Sequence, residues 1–303
     1  MRAVTSRDRG RINAPVTRPT AWWLATLKKR AASMYESEID FSRPVEFNSP
    51  EERNACIAFF NAAYRAEESG LSQAHRLADQ VREWDHDLAE CLVLYGNEEG
   101  WHRELLTKFM ENIGGEIRPM GRVTGTFYRL YDKAEEMETI MLTNLMFETI
   151  GSTTYRLALG RVEHPTVRSM LAILTRDESF HVPLNVHFIR EILKHKNVSK
   201  LTLTKLKVIY YAVFMALIAS TAASREVAQK FDRIAWRELA TAYVENLGQL
   251  FLKESDLQFE PPWMLLRAFG INRTKLEAVA GKATSIAVAE ESAIRENVQV
   301  TAL

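Results

Sequence analysis

The sequence predicts an all-α protein, a four-helix bundle with additional N- and C-terminal helices. Three observations lead there. Strand-type alternation is almost absent from the 303 residues, whereas apolar residues recur at spacings of three and four over long stretches. Four of these stretches, paired around two turn signals, carry a glutamate on the apolar stripe itself. In the second stretch of each pair a histidine follows three positions later, as Glu99-Gly100-Trp101-His102 and Glu178-Ser179-Phe180-His181.

Residues 1–20 hold five arginines against one acid, Asp8, with Pro15 and Pro19, and read as a mobile basic arm. A single helical domain is expected over 21–303, with a bundle over about 50–196 and accessory helices over about 200–298. Asn48-Ser49-Pro50-Glu51-Glu52 is a helix start: Ser49 caps, Pro50 suits the first helical position and Glu52 completes a capping box. The first bundle helix follows as Ile57, Phe60, Tyr64, Glu67, Leu71, Ala74, and a turn is expected within 79–85. The second reads Leu88, Leu92, Tyr95, Glu99, His102, Leu106, Phe109, Ile113 and stops at Gly114-Gly115. Residues 114–126, with four glycines and a proline, read as a connection. The third helix carries Met141, Leu145, Glu148, Ser152, Tyr155 and Leu159, and Glu163-His164-Pro165 makes the turn. The fourth carries Leu171, Leu174, Glu178, His181, Asn185, Phe188 and Ile192. Further helices are expected near 203–223, 226–253 and 273–297.

The position of the acids decides what the bundle is for. Glu67, Glu99, His102, Glu148, Glu178 and His181 each occupy a place on a stripe that is otherwise Leu, Ile, Phe, Tyr or Met, so they point into the core. Glu148 and Glu178 lie equally far on either side of Glu163, and Glu67 and Glu99 flank a turn near residue 83, so each pair comes level. Burying one unpaired carboxylate costs several kcal/mol, by common estimates, and four converging carboxylates demand cations. A Glu from each of two helices and a Glu-x-x-His from each of the other two is the ligand set of carboxylate-bridged dimetal bundles. Glu68 competes with Glu67, but only Glu67 continues the Phe60–Tyr64–Leu71 stripe. The other histidines fall off the stripes or in turns and are read as non-ligands.

Composition narrows the alternatives. Lys+Arg and Asp+Glu both number 39, so no general electrostatic attraction to nucleic acid is expected. The two cysteines, Cys56 and Cys91, form no Cys-x-x-Cys, which suits a reducing cytoplasm. The start of the chain has no apolar core of a signal peptide. The most apolar run, 208–223, is shorter than the roughly 20 residues that span a bilayer, and is expected to be a buried core helix.

At these residues the chain resembles the ferritin-like non-haem di-iron carboxylate proteins, and most the soluble acyl-carrier-protein desaturases. The resemblance lies in Ala66-Glu67-Glu68, in 98–108 around Glu99 and His102, in Phe147-Glu148-Thr149 and in Asp177-Glu178-Ser179-Phe180-His181, and covers about 50–195. It implies two iron ions, with manganese as an alternative, bound by the six residues above, with Glu99 and Glu178 bridging. It also implies O2 and an external reductant such as ferredoxin, and an apolar substrate, free or carrier-bound, that is hydroxylated, N-oxygenated or desaturated. Asp177 and Glu98 are the expected outer partners of His102 and His181. In relatives a Trp can end an electron path through such an Asp, and Trp22 or Trp23 is placed for it. Ser152 is a candidate for proton delivery, and stripe residues Phe60, Tyr64, Tyr95, Leu106, Met141, Leu145, Leu174 and Phe188 are candidates for an apolar pocket wall.

Departures are informative. The position four after His102 is Leu106 where a ribonucleotide reductase small subunit needs Tyr, and Leu174 stands where arylamine N-oxygenases add a third His. Gly151 stands where desaturases keep a Thr. A homodimer is expected; the lysines between 194 and 207 form a locally basic patch that reads as a solvated charge cluster, with docking of an acidic carrier or ferredoxin as the alternative. The competing function is a ferroxidase or iron-storage protein, against which stand the ~110 residues after the fourth helix.

Overall fold

The computed structural model describes residues 17–33, 39–119, 122–222, 225–272, 274 and 276. The expected arm therefore lies outside the described residues except for 17–20, as does nearly all of the expected 273–297 helix. Among the described residues there are helices and no strands.

The bundle consists of α2 (Pro50–Val81), α3 (His86–Asn112), α5 (Met137–Leu159) and α6 (Pro165–His195). The most extensive packing is α2 on α3 and α5 on α6, so the two helix pairs read from the turn signals are two antiparallel hairpins. Their starts follow the expected chemistry. Ser49 Oγ accepts from Glu52 N at 3.1 Å and Pro50 opens α2. Glu52 does not close a box onto Ser49, because Asn48 offers it two donors at 2.7 and 2.8 Å. Asp85 caps α3 by accepting from Leu88 N at 2.9 Å. The α3 end turns through Gly114 at φ 62°, a left-handed conformation that favours glycine.

Among the described residues, six other α-helices shape the surroundings. The first, α1 (Thr20–Ser33), lies along α3 and buries Trp23 and Leu27. The expected connection 114–126 is in part helical, since α4 runs Arg122–Asp132. Gly125 costs that helix only about 1 kcal/mol, against which stand Tyr128 and Tyr131, both buried. After the bundle come α7 (Lys200–Ala222), α8 (Arg225–Asp232), α9 (Trp236–Lys253) and a short α10 (Trp263–Ala268). The single helix expected over 226–253 is thus broken. Arg233 takes φ 55°, and buried Asp232 accepts from Ile234 N at 3.0 Å and from Arg225 at 2.5 Å. This turn lets Phe231 pack against Phe59 and Phe60 of the bundle.

The stretch expected as a buried core helix is a correction of another kind. Tyr210, Tyr211, Phe214 and Ile218 of α7 are buried, but Leu201 is 81%, Val208 65% and Ile209 46% exposed. By length and composition alone α7 could cross a membrane. Its sequence is apolar on all sides, whereas the bundle offers cover on only one. Of the lysines nearby, Lys196 pairs with Glu136 at 2.7 Å and Glu138 at 2.6 Å, and Lys207 with Glu260 at 3.7 Å.

Candidate metal centre

All six stripe residues meet at the centre of the bundle, each buried. They form two overlapping tetrads in which one ligand atom per residue lies within 4.8 Å of the others. One tetrad is Glu67, Glu99, His102 and Glu178; the other is Glu99, Glu148, Glu178 and His181. Glu99 and Glu178 belong to both. Glu68 is on the outer side of α2 and pairs with Arg65 at 2.6 Å.

Both imidazoles turn Nδ1 inward. His102 Nδ1 lies 3.3 Å from Glu67 and 4.0 Å from Glu178. His181 Nδ1 lies 3.0 Å from Glu99, and 3.5 Å from both Glu148 and Glu178. Their Nε2 atoms face outward to the other hairpin: His102 to Asp177 at 3.2 Å and His181 to Glu98 at 3.5 Å. The outer carboxylates are joined in turn by Arg30 of α1, which reaches Asp177 at 2.7 Å and Glu98 through Nε at 3.3 Å. Arg30 also lies over the Phe180 ring at 4.2 Å. Arg176 takes both oxygens of Asp177, at 2.7 and 2.8 Å.

Arg30 therefore holds the place beside Asp177 for which Trp22 and Trp23 were considered. Trp23 packs on Phe180 and stacks on His187 instead. Sequence reasoning missed Arg30, because it sits in a separate helix with no motif. Its one signal is the i, i+7 spacing from Trp23, which with Leu27 marks the buried face of α1.

Electrostatics show what this cluster is without cations. Burial, then repulsion from Glu67 and Glu148, holds Glu99 well above the usual carboxylate range. Burial, with repulsion from Glu148 and Glu67, does the same to Glu178. Burial also acts on Glu67 and Glu148, but hydrogen bonds outweigh it and both are lowered. Against burial, Asp177 and Glu67 raise His102 to about 10, and Glu99 and Glu148 raise His181 well above its ordinary value. Among the outer acids, burial is outweighed by His181 and Arg30 at Glu98, which falls to about 2, and by His102 and Arg176 at Asp177, which falls further. With its four carboxylates ionised and both imidazoles neutral, the inner cluster would carry four negative charges, and the raised values of Glu99, Glu178, His102 and His181 express that cost. Two divalent cations would balance these four charges.

The residues fit such ions. Glu99 Oε1, Glu148 Oε2 and His181 Nδ1 are buried with no hydrogen-bond partner. Carboxylate and imidazole donors suit iron and manganese. Beside the cluster, between α2 and α5, is a cavity of about 20 Å³ lined by Ala66, Gly70, Tyr95, Asn144, Phe147, Gly151 and Tyr155 as well as the carboxylates. A Cβ at Gly70 would stand 3.3 Å from the Glu99 carboxylate, so glycine keeps this approach open. Of the expected apolar wall only Tyr95 lines the cavity, and its hydroxyl donates to Glu148. Ser152 is not among the lining residues, and its hydroxyl donates to the Thr149 carbonyl at 3.3 Å.

No protein-family model matches the chain, and no curated protein is found similar to it. Among solved structures, the chain is similar to a Tyr-to-Phe variant of an R2-like ligand-binding oxidase with an anaerobically reconstituted Mn/Fe cofactor. The identity is 16%, the TM-score 0.46, and 93% of this chain and 98% of that one are covered. It is also similar to a Val-to-Ile variant of an R2-like ligand-binding oxidase with an aerobically reconstituted Mn/Fe cofactor, at 17% identity and TM-score 0.43, over 94% and 97% of the two chains. A Gly-to-Leu variant with an aerobically reconstituted Fe/Fe cofactor gives 16%, 0.41, and the same shares of 94% and 97%.

Proposed function

We propose that this chain is an oxygen-activating dimetal oxidase or oxygenase that holds two iron ions, or manganese in place of iron. The observation that supports it is the pair of buried tetrads sharing Glu99 and Glu178. Glu67 and His102 would hold one ion, Glu148 and His181 the other, with Glu99 and Glu178 between them. So bound, and with electrons from an external reductant, such ions would supply the power to reduce O2 and oxidise a substrate. Hydroxylation, N-oxygenation and desaturation of a largely apolar molecule, free or carrier-bound, are the reactions in view.

The chain's own residues do the rest. Asp177 accepts from Nε2 of His102 and Glu98 stands 3.5 Å from Nε2 of His181, which leaves each Nδ1 as the inward donor atom. Tyr95 holds one oxygen of Glu148 and leaves the other, Oε2, facing the cluster. Phe147, Tyr155 and Tyr95 line the cavity beside the carboxylates.

A ferroxidase is the second reading, and one observation favours it. A cavity of about 20 Å³ has room for a molecule the size of water or O2, so an organic substrate must displace part of the wall. Anaerobic loading with Fe(II), metal analysis, then exposure to O2 tests both. Wild-type protein should retain two irons per chain and Glu148→Ala about one; two tightly held irons in that variant would contradict the ligand assignment. Fast O2 uptake only with an organic molecule and a reductant favours the oxygenase, and turnover of excess Fe(II) alone favours the ferroxidase.

A further inference from the structure

One polar group at the centre is left over by all of the above. Asn144 is 2% exposed, stands one helical turn before Glu148 on α5 and lines the cavity. Its Oδ1 accepts from the Tyr131 hydroxyl, while its Nδ2 is buried without any hydrogen-bond partner.

The orientation of the amide follows from its neighbours. The other acceptor near the Tyr131 hydroxyl is the Ile140 carbonyl, at 3.5 Å, so the phenol's proton goes to Asn144. That assigns oxygen to the Tyr131 side and the NH2 to the other. The reversed amide would turn an oxygen toward a cavity already lined by four carboxylates. Leaving a buried donor unpaired is costly, and native sites rarely do so without a ligand to receive it.

We propose that Asn144 is the hydrogen-bond donor that fixes an acceptor-bearing small ligand in this cavity, beside Glu148. The ligand class is one that presents an oxygen or an anionic end to Nδ2 and an apolar side to Phe147. Tyr131 is the positioning residue, and because it belongs to α4, the docking of α4 on Phe147 sets the donor's direction. The location of the ligand rests on the dimetal reading; the existence of the donor site does not.

Azide is a suitable probe, as a small anion with an infrared stretch that reports hydrogen bonding. Iron-loaded, oxidised wild type is titrated with azide alongside Asn144→Leu and Tyr131→Phe, with iron content measured on each sample. The expected result is a loss of azide affinity of about 10-fold or more in Asn144→Leu, the range of a hydrogen bond to a charged group, with a shifted azide stretch and two irons retained. Tyr131→Phe, which frees the amide to rotate, should show a smaller loss. Unchanged affinity and stretch in Asn144→Leu with both irons present would overturn the proposal. A high-resolution crystal structure of the wild type provides a second measurement that needs neither variant. A water or ligand atom within hydrogen-bond distance of Nδ2 supports the donor site even if no metal binds, which would sink only the dimetal reading. An Nδ2 that touches only carbon refutes it.

Discussion

The two halves of the centre are alike in sequence and unlike in their surroundings. Each hairpin gives one Glu from its first helix and a Glu-x-x-His from its second. Yet His102 is hydrogen-bonded through both ring nitrogens, to Glu67 and to Asp177, whereas both nitrogens of His181 lack a partner with hydrogen-bond geometry. Asp177 is fully buried and clamped by two arginines, Arg30 and Arg176, while Glu98 has Arg30 and stands 3.5 Å from its imidazole. In compensation the His181 half has Tyr95, four residues before Glu99, where the other half has Leu174 four residues before Glu178. The lesson is that a repeated ligand motif fixes equal donor sets but not equal rigidity, which comes from residues around it.

That comparison can be broken by experiment, the largest effect first. Glu178 belongs to both tetrads, so Glu178→Ala should lose both ions where Glu148→Ala loses about one; equal iron contents would remove the bridging role. Metal uptake should also release protons, because Glu99, Glu178, His102 and His181 are all held above their ordinary values in the metal-free cluster. The sign follows: these four have raised values and must lose protons to bind, so affinity rises with pH. Calorimetry in buffers of different ionisation enthalpy measures the number, and a release near zero would mean that the cluster is already anionic.

The outer acids should separate the halves. Replacing an outer partner typically costs 10–100-fold in metal affinity, and Asp177→Asn is expected near the upper end, with Glu98→Gln lower. Competition with a chelator reads this, and equal losses would show that the difference in clamping has no energetic consequence. The smallest effect is expected from Tyr95→Phe, which leaves a buried oxygen of Glu148 without its donor. The cost should be about 1–3 kcal/mol of stability in the metal-free protein; an unchanged melting temperature would argue that Glu148 finds another donor.

The failures of the sequence reading have separate causes. Helix 226–253 looked continuous because its apolar periodicity carries through Arg233, and the left-handed turn there is imposed by Asp232 and Arg225 across the break. The apolar run of α7 says how much hydrocarbon is present and nothing of how much cover the bundle has to offer. Asn144 was passed over because an amide on a helix face has no signal until its neighbours are known.

The sequence by itself determined the four ligand-bearing helices, their pairing and the level of the acids. A stripe of period three to four and a turn midway between two glutamates are local properties that survive any change of packing partner. Only the tertiary structure decided that Arg30 ties Glu98 to Asp177, that Tyr95 reaches Glu148 and that the amide nitrogen of Asn144, a residue lining the cavity, is left without a partner. Those are contacts between groups far apart along the chain, and their energies exist only once the helices have packed.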